Sequence, residues 1–138
     1  MVNILFGDNE ESTNLLLSKR LQPEHEVMYL TDAVSLLWEL SPAQKYFSGR
    51  KYDLVIYDFD LFHQDAGLDR RIGLLEDQVA GYLALADAPI IIIAEGTLET
   101  KIKPICQKIG FNYLSRPYSL ELALKLMRES LFNKCCWP

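Results

Sequence analysis

Leu54-Val55-Ile56-Tyr57-Asp58-Phe59-Asp60 decides how this chain reads. A short apolar run, β-branched at Val55 and Ile56, passes straight into acid. Such a run fits a strand buried on both faces, as in a parallel sheet. An aspartate at the carboxyl end of such a strand lies where open α/β sheets place ligands. Ile4-Leu5-Phe6 is a second run of the same kind, and it ends in Gly7-Asp8-Asn9-Glu10. With the two strands as neighbours, Asp8, Asp58 and Asp60 converge on one crevice. Crowded carboxylates repel unless one is protonated or a cation sits among them. Oxygen ligands of this kind suit Mg²⁺.

The 138 residues are enough for one domain with a substantial core, and 49% are hydrophobic, a globular composition. The longest apolar run, Ala88 to Ala94, is too short to span a bilayer, so no membrane partner is expected. Residues 1–10 show no basic segment leading into a long apolar one, so no signal peptide is expected. A net charge of −5 argues against direct nucleic-acid binding over a broad surface. Cys106, Cys135 and Cys136 are odd in number and clustered, unlike a secreted disulfide framework, which favours a cytoplasmic location.

Strand-like and helix-like segments alternate along the chain. The first strand spans Asn3 to Phe6. Asn9 is a suitable N-cap, with Glu10 and Glu11 in the favourable first turn of a helix running to Leu21. A second strand covers Glu26 to Leu30. Asp32 caps a helix over Ala33 to Leu40, and Ser41-Pro42-Ala43-Gln44 starts another that ends near Gly49. The third strand is Asp53 to Tyr57. Gly67 to Asp87 is helical in pattern, with Leu68, Ile72, Leu75, Val79 and Leu83 on one face. Ile90 to Ile93 is the clearest buried strand. A helix lies within Thr97 to Ile109, short, kinked or late-starting because of Pro104. A strand at Asn112 to Leu114 and a helix from a Ser119 cap to about Phe132 complete the pattern. Five strands alternating with helices predict a doubly wound parallel sheet of order 2-1-3-4-5, flavodoxin-like, with the first and third strands adjacent.

In this setting the chain resembles a receiver domain of two-component response regulators. The resemblance rests on the acidic turn Gly7-Asp8-Asn9-Glu10, on Asp53-Leu54-Val55-Ile56-Tyr57-Asp58, on Pro89 before the fourth strand, and on Tyr113-Leu114-Ser115-Arg116-Pro117-Tyr118. It implies a receiver-like domain over residues 1–132 with a short tail at 133–138. It further implies a phosphoacceptor at Asp58, supplied by a histidine kinase or phosphotransfer protein. Mg²⁺ would be held by Asp8, Asn9, Asp58 and the carbonyl of Asp60. A downstream protein partner and a homodimer follow from the same resemblance, and the domain would not be an enzyme.

Three positions depart from the family pattern. Where two adjacent acids are usual, this chain has Asp8 followed by Asn9. That assignment keeps Leu16, Leu17 and Leu21 inward, but the run Leu15-Leu16-Leu17 leaves open a shift that puts Gly7 and Asp8 in the two slots. The hydroxyl position at the end of the fourth strand is Ala94, and a methyl group donates nothing. The lysine position is Arg116, which keeps charge but not ammonium geometry. The aromatic switch position, Tyr113, is intact. The route from phosphoryl group to hydroxyl to aromatic ring is therefore broken in its middle.

These departures support an alternative: a receiver fold that acts as a protein-interaction module without phosphorylation. A rival enzyme reading comes from Asp58-Phe59-Asp60, which resembles the nucleophile motif of haloacid-dehalogenase-type phosphatases. That motif continues with glycine-threonine, whereas Leu61-Phe62 follows here. His63 resembles the histidine of a cobalamin-binding loop, but its spacing to Asp60 and Gly67 fails, and it reads as a solvated loop residue.

Overall fold

In a computed structural model, which describes residues 2–9, 12–61 and 66–136, a five-stranded parallel sheet runs in the order β2-β1-β3-β4-β5. The strands are β1 Asn3–Gly7, β2 Glu26–Leu30, β3 Leu54–Asp58, β4 Ile90–Glu95 and β5 Asn112–Arg116. The helices are α1 Ser12–Leu21, α2 Ala33–Leu40, α3 Pro42–Ser48, α4 Leu68–Leu74, α5 Ala80–Ala84, α6 Glu99–Ile109 and α7 Leu120–Cys136. The order is the one expected from the alternation of elements.

Side-chain alternation along the central strands feeds two cores. Ile4, Phe6, Leu54, Ile56, Ile91 and Ile93 pack against Leu17 and Leu21 of α1 and Ala123 and Met127 of α7. Leu5, Val55, Tyr57, Ile90 and Ile92 pack on the other side with Leu36 and Leu40 of α2, Leu83 of α5 and Ile102 of α6. Strands covered on both faces need continuous apolar sequence, and β3 and β4 have it.

Local chemistry explains most boundaries. Asp32 Oδ1 accepts from Ser35 N at 2.7 Å, the expected cap of α2. Ser41 Oγ accepts from Gln44 N at 3.2 Å and opens α3, while the Gln44 amide turns to Glu39 instead of back to the cap. A turn of 3₁₀ helix over Gly96–Leu98 precedes α6, which holds Pro104 in its interior. Between α4 and α5 the chain widens into a π-helical turn over Leu75–Val79. Leu75, Val79 and Leu83 still reach one core, with Leu68 and Ile72 packed against it.

Three expectations are corrected. The Asn9 side-chain oxygen accepts no hydrogen bond among the described residues, so the cap expected for α1 is not made by Asn9 there. The first-turn role given to Glu10 and Glu11 lies outside the described residues. Leu16 is 59% exposed, not inward. The buried stripe of α1 is Asn14, Leu17, Ser18 and Leu21, an i, i+3, i+4, i+7 set that turns Leu16 away. The last helix extends past Phe132 to Cys136, through part of the segment read as a tail.

Candidate functional site

The register Gly7↔Tyr57 between β1 and β3 sets the next residues, Asp8 and Asp58, side by side at the carboxyl edge of the sheet. Both carboxylates are fully buried. Between them stands Asn14 of α1, whose amide nitrogen donates to Asp8 Oδ1 at 2.9 Å and to Asp58 Oδ2 at 2.7 Å. The Asn14 oxygen accepts from the Tyr118 hydroxyl at 2.6 Å. The Tyr29 hydroxyl donates to Asp8 Oδ2. Tyr29 is the β2 partner of Phe6, and the two rings lie 5.5 Å apart.

The end of β5 supplies the cation. Arg116 is 6% exposed and donates through Nη1 to Asp58 Oδ2. Its Nη2 reaches Asp60 Oδ2 at 3.2 Å and Glu95 Oε1 at 3.0 Å. Glu95 is the β4 register partner of Arg116. Gly96 follows it, where an added Cβ would lie 2.9 Å from the Arg116 carbonyl oxygen, so the close passage of these backbones needs glycine. Asp60 sits in a 3₁₀ turn, Phe59–Leu61, and its backbone N–H donates to Asp58 Oδ1 at 2.8 Å. A second arginine, Arg71 of α4, donates to Asp60 Oδ1 at 2.6 Å and lies 5.2 Å over the Phe59 ring.

Burial pushes the Asp58 carboxyl up to about 6, against the opposing pull of Arg116 and of the Asp60 N–H; Asp60 and Asp8 add to the rise. The Arg116 guanidinium is raised despite burial, held charged by Asp58, Glu95 and Asp60.

Asp8, Asp58, Asp60 and Arg116 are therefore brought together, as the sequence suggested. Asp60 contributes its carboxylate and N–H, beyond the carbonyl singled out from sequence. Asn9 is half-buried with its side-chain oxygen unpaired among the described residues. Position 7 faces elsewhere: a Cβ on Gly7 would meet Leu61 at 2.9 Å and Leu36 at 3.1 Å. Ala94 is buried among apolar residues of the core that holds Tyr57 and Phe59. The Tyr113 hydroxyl donates to the Glu95 carbonyl at 3.4 Å. His63 lies outside the described residues.

Sequence reasoning missed Asn14, Tyr29, Arg71 and Glu95, and gave Tyr118 only a place at the core edge. Asn14 alone had a readable signal, as a polar residue on the leucine stripe of α1.

The donor set does not fit Mg²⁺ in this arrangement. All four carboxylate oxygens of Asp8 and Asp58 accept bonds from protein donors. The Arg116 guanidinium is already paired with Asp58. Among the described residues no group of three or more His, Cys, Asp or Glu side chains is arranged to hold a metal ion.

The chain is similar to solved structures of receiver domains. A response regulator receiver protein from Burkholderia phymatum superposes with a TM-score of 0.70 at 16% identity, over 95% of each chain. A CheY-like receiver domain protein from Methanospirillum hungatei JF-1 gives 0.69 at 18% identity, over 96% of this chain and 95% of that one. The chemotaxis response regulator CheY4 of Vibrio cholerae gives 0.63 at 22% identity, over 94% and 98%. No protein-family profile and no curated protein matches the sequence. The chain has the receiver fold, a flavodoxin-like doubly wound sheet. Among the described residues no helix is long and apolar enough to cross a membrane.

Proposed function

We propose that this chain is a receiver-type module of two-component signalling whose Asp58 centre is held by its own arginine and which acts by docking to proteins. The observation that carries this reading is the buried Arg116–Asp58 ion pair, with every carboxylate oxygen of Asp8 and Asp58 already satisfied. An incoming phosphoryl group needs a carboxylate free to attack and a cation that neutralises its equatorial oxygens. Here the carboxylate is paired, the cation is tethered, and the hydroxyl position is Ala94. The partners that follow are a histidine kinase or phosphotransfer protein on one side and a downstream protein on the other, recognised by surface shape and charge. A homodimer belongs to the same proposal. The phosphatase reading is not favoured, because Asp60, its acid/base candidate, is tied between two guanidinium groups.

The second reading is an atypical phosphoacceptor, with Asp58 as nucleophile and Mg²⁺ bound weakly by Asp8, Asn9, Asp58 and the Asp60 carbonyl. It is favoured by the position of Asp58 at the end of β3 beside Asp8. Incubation with acetyl phosphate and Mg²⁺, followed by intact mass, separates the two. The arginine-held module gains no phosphate. One phosphate gained by the native chain and lost in Asp58→Asn overturns it in favour of the phosphoacceptor.

A further inference from the structure

We propose that Arg71 is a positioning residue for the Asp58 centre: it fixes and neutralises Asp60, so that Asp60 does not draw the Arg116 guanidinium off Asp58. This rests on the arginine-held reading above.

Helix α4 contributes no fully buried side chain. Leu68 and Ile72 only lean on the core. Its partly buried polar attachment is Arg71, 19% exposed, which stacks on Phe59 and donates to Asp60, beside an exposed Asp69–Lys101 pair at 3.9 Å. Asp60 accepts from Arg71 on Oδ1 and from Arg116 on Oδ2, and its N–H caps Asp58 Oδ1. One short turn therefore links α4 to both members of the central ion pair.

Charge decides what this link does. Asp58, Asp60 and Glu95 all draw on Arg116. Arg71 neutralises much of Asp60, so Arg116 remains available to Asp58. Without Arg71, the Asp60 charge falls on Arg116 alone and draws the fork away from Asp58. The Arg116–Asp58 pair then loosens. Displacement of α4, whose Asp69, Arg70 and Gly73 are exposed, would act as removal of Arg71 does. The centre is thus coupled to α4, on the β3 side, and this route does not use the hydroxyl that Ala94 lacks.

The test is nitrogen-15 NMR of the Arg116 guanidinium in the full chain, with chelator and no phosphodonor, its signals being assigned by their loss in Arg116→Lys. Arg71→Met should quicken exchange of the Arg116 guanidinium protons with water about tenfold. Arg71→Lys, which keeps the charge on Asp60, should return most of that change, and the exposed neighbour Arg70→Met should leave Arg116 as it is. In an Asp60→Asn background Arg71→Met should have no effect on Arg116, which separates positioning through Asp60 from general loosening. In Arg116→Met, hydrogen exchange should quicken over 68–74 and not over 99–109. Unchanged Arg116 exchange in folded Arg71→Met, or an Arg71 effect that survives in Asp60→Asn, overturns the inference. Should Arg71→Met fail to fold, Arg71→Gln takes its place with the same expected and overturning results. Phosphate uptake, measured on separate samples, would overturn the arginine-held reading and leaves the Arg116 signals interpretable on their own.

Discussion

Arg116 donates to Asp58 where neither side chain is more than 6% exposed, so the central acid of this fold is neutralised by a group the chain carries itself. A buried charge pair broken on one side leaves an uncompensated charge, at a cost of about 3–5 kcal/mol. The forked guanidinium also spans Asp60 and Glu95, which a compact ammonium could not do at once. Replacing Arg116 with Met should raise the Asp58 carboxyl above about 6, because the main force lowering it is gone. Carboxyl NMR titration checks this. A value unchanged in Arg116→Met would show that the pair does not control Asp58.

Stability should carry a signature of Asp58 with a definite sign. Its carboxyl is raised from the ordinary 3.8 to about 6 in the folded protein. The native state therefore binds this proton more tightly than the unfolded chain does. The contribution is fully present below pH 3.8 and is lost as pH rises through about 6. Its size is about 2–3 kcal/mol. Urea unfolding of the native chain and of Asp58→Asn, compared from pH 4 to pH 7, should show a difference that falls with pH by roughly that amount. A flat difference would contradict the burial-driven rise.

Asn14 should matter more than a lone helix amide usually does. It donates to both buried carboxylates and accepts from Tyr118. Asn14→Ala leaves those oxygens with one donor fewer and removes the group between two acids. The expected loss is about 2–4 kcal/mol by urea unfolding. A cost under about 0.5 kcal/mol, the level of an ordinary surface change, would mean that another donor replaces it.

Features set by local pattern were legible in the sequence, and features set by tertiary distance were not. The sheet order was legible because β3 and β4 are apolar on both faces and alternate with helical periods. Asp8, Asp58 and Arg116 were legible because strand ends and turn prolines place them. Asn14 and Tyr29 were not singled out, since a lone polar residue on a helix or edge strand has no period to mark it. Arg71 depends on how far α4 sits from the turn at Asp60, a tertiary distance with no local signal. Leu16 was misread because adjacent leucines fit more than one helical phase, and burial of Asn14 and Ser18 set the phase observed.

The acidic turn gives a test of register. A side chain at position 7 would enter the space of Leu61 and Leu36, on the side away from the carboxylates. Gly7→Asp should therefore cost at least about 3 kcal/mol in stability, by overpacking and by burying a charge without a partner. Asn9→Asp, at a half-buried position, should fold normally and confer Mg²⁺ binding, read by amide chemical shifts. The reverse outcome, a well-folded Gly7→Asp that binds Mg²⁺ and an inert Asn9→Asp, would place the acidic pair one residue earlier.

Phosphate chemistry should be recoverable only when the tethered cation is changed. Asn9→Asp supplies a carboxylate and Ala94→Thr a hydroxyl, but each leaves Arg116 on Asp58. Arg116→Lys substitutes one compact ammonium for the fork and leaves Asp58 Oδ2 with Asn14 as its neutral donor. A charge-assisted hydrogen bond contributes about 1.5–3 kcal/mol, roughly a ten- to hundredfold change in rate or occupancy. The single variants Asn9→Asp and Ala94→Thr should thus stay unlabelled by acetyl phosphate with Mg²⁺. Adding Arg116→Lys to both should give a phosphate by intact mass that disappears when Asp58→Asn is included. In that labelled variant the shifts should extend from Tyr113 into α6, since the hydroxyl step is restored. Labelling of Asn9→Asp or Ala94→Thr with Arg116 intact would show that the guanidinium does not block the site.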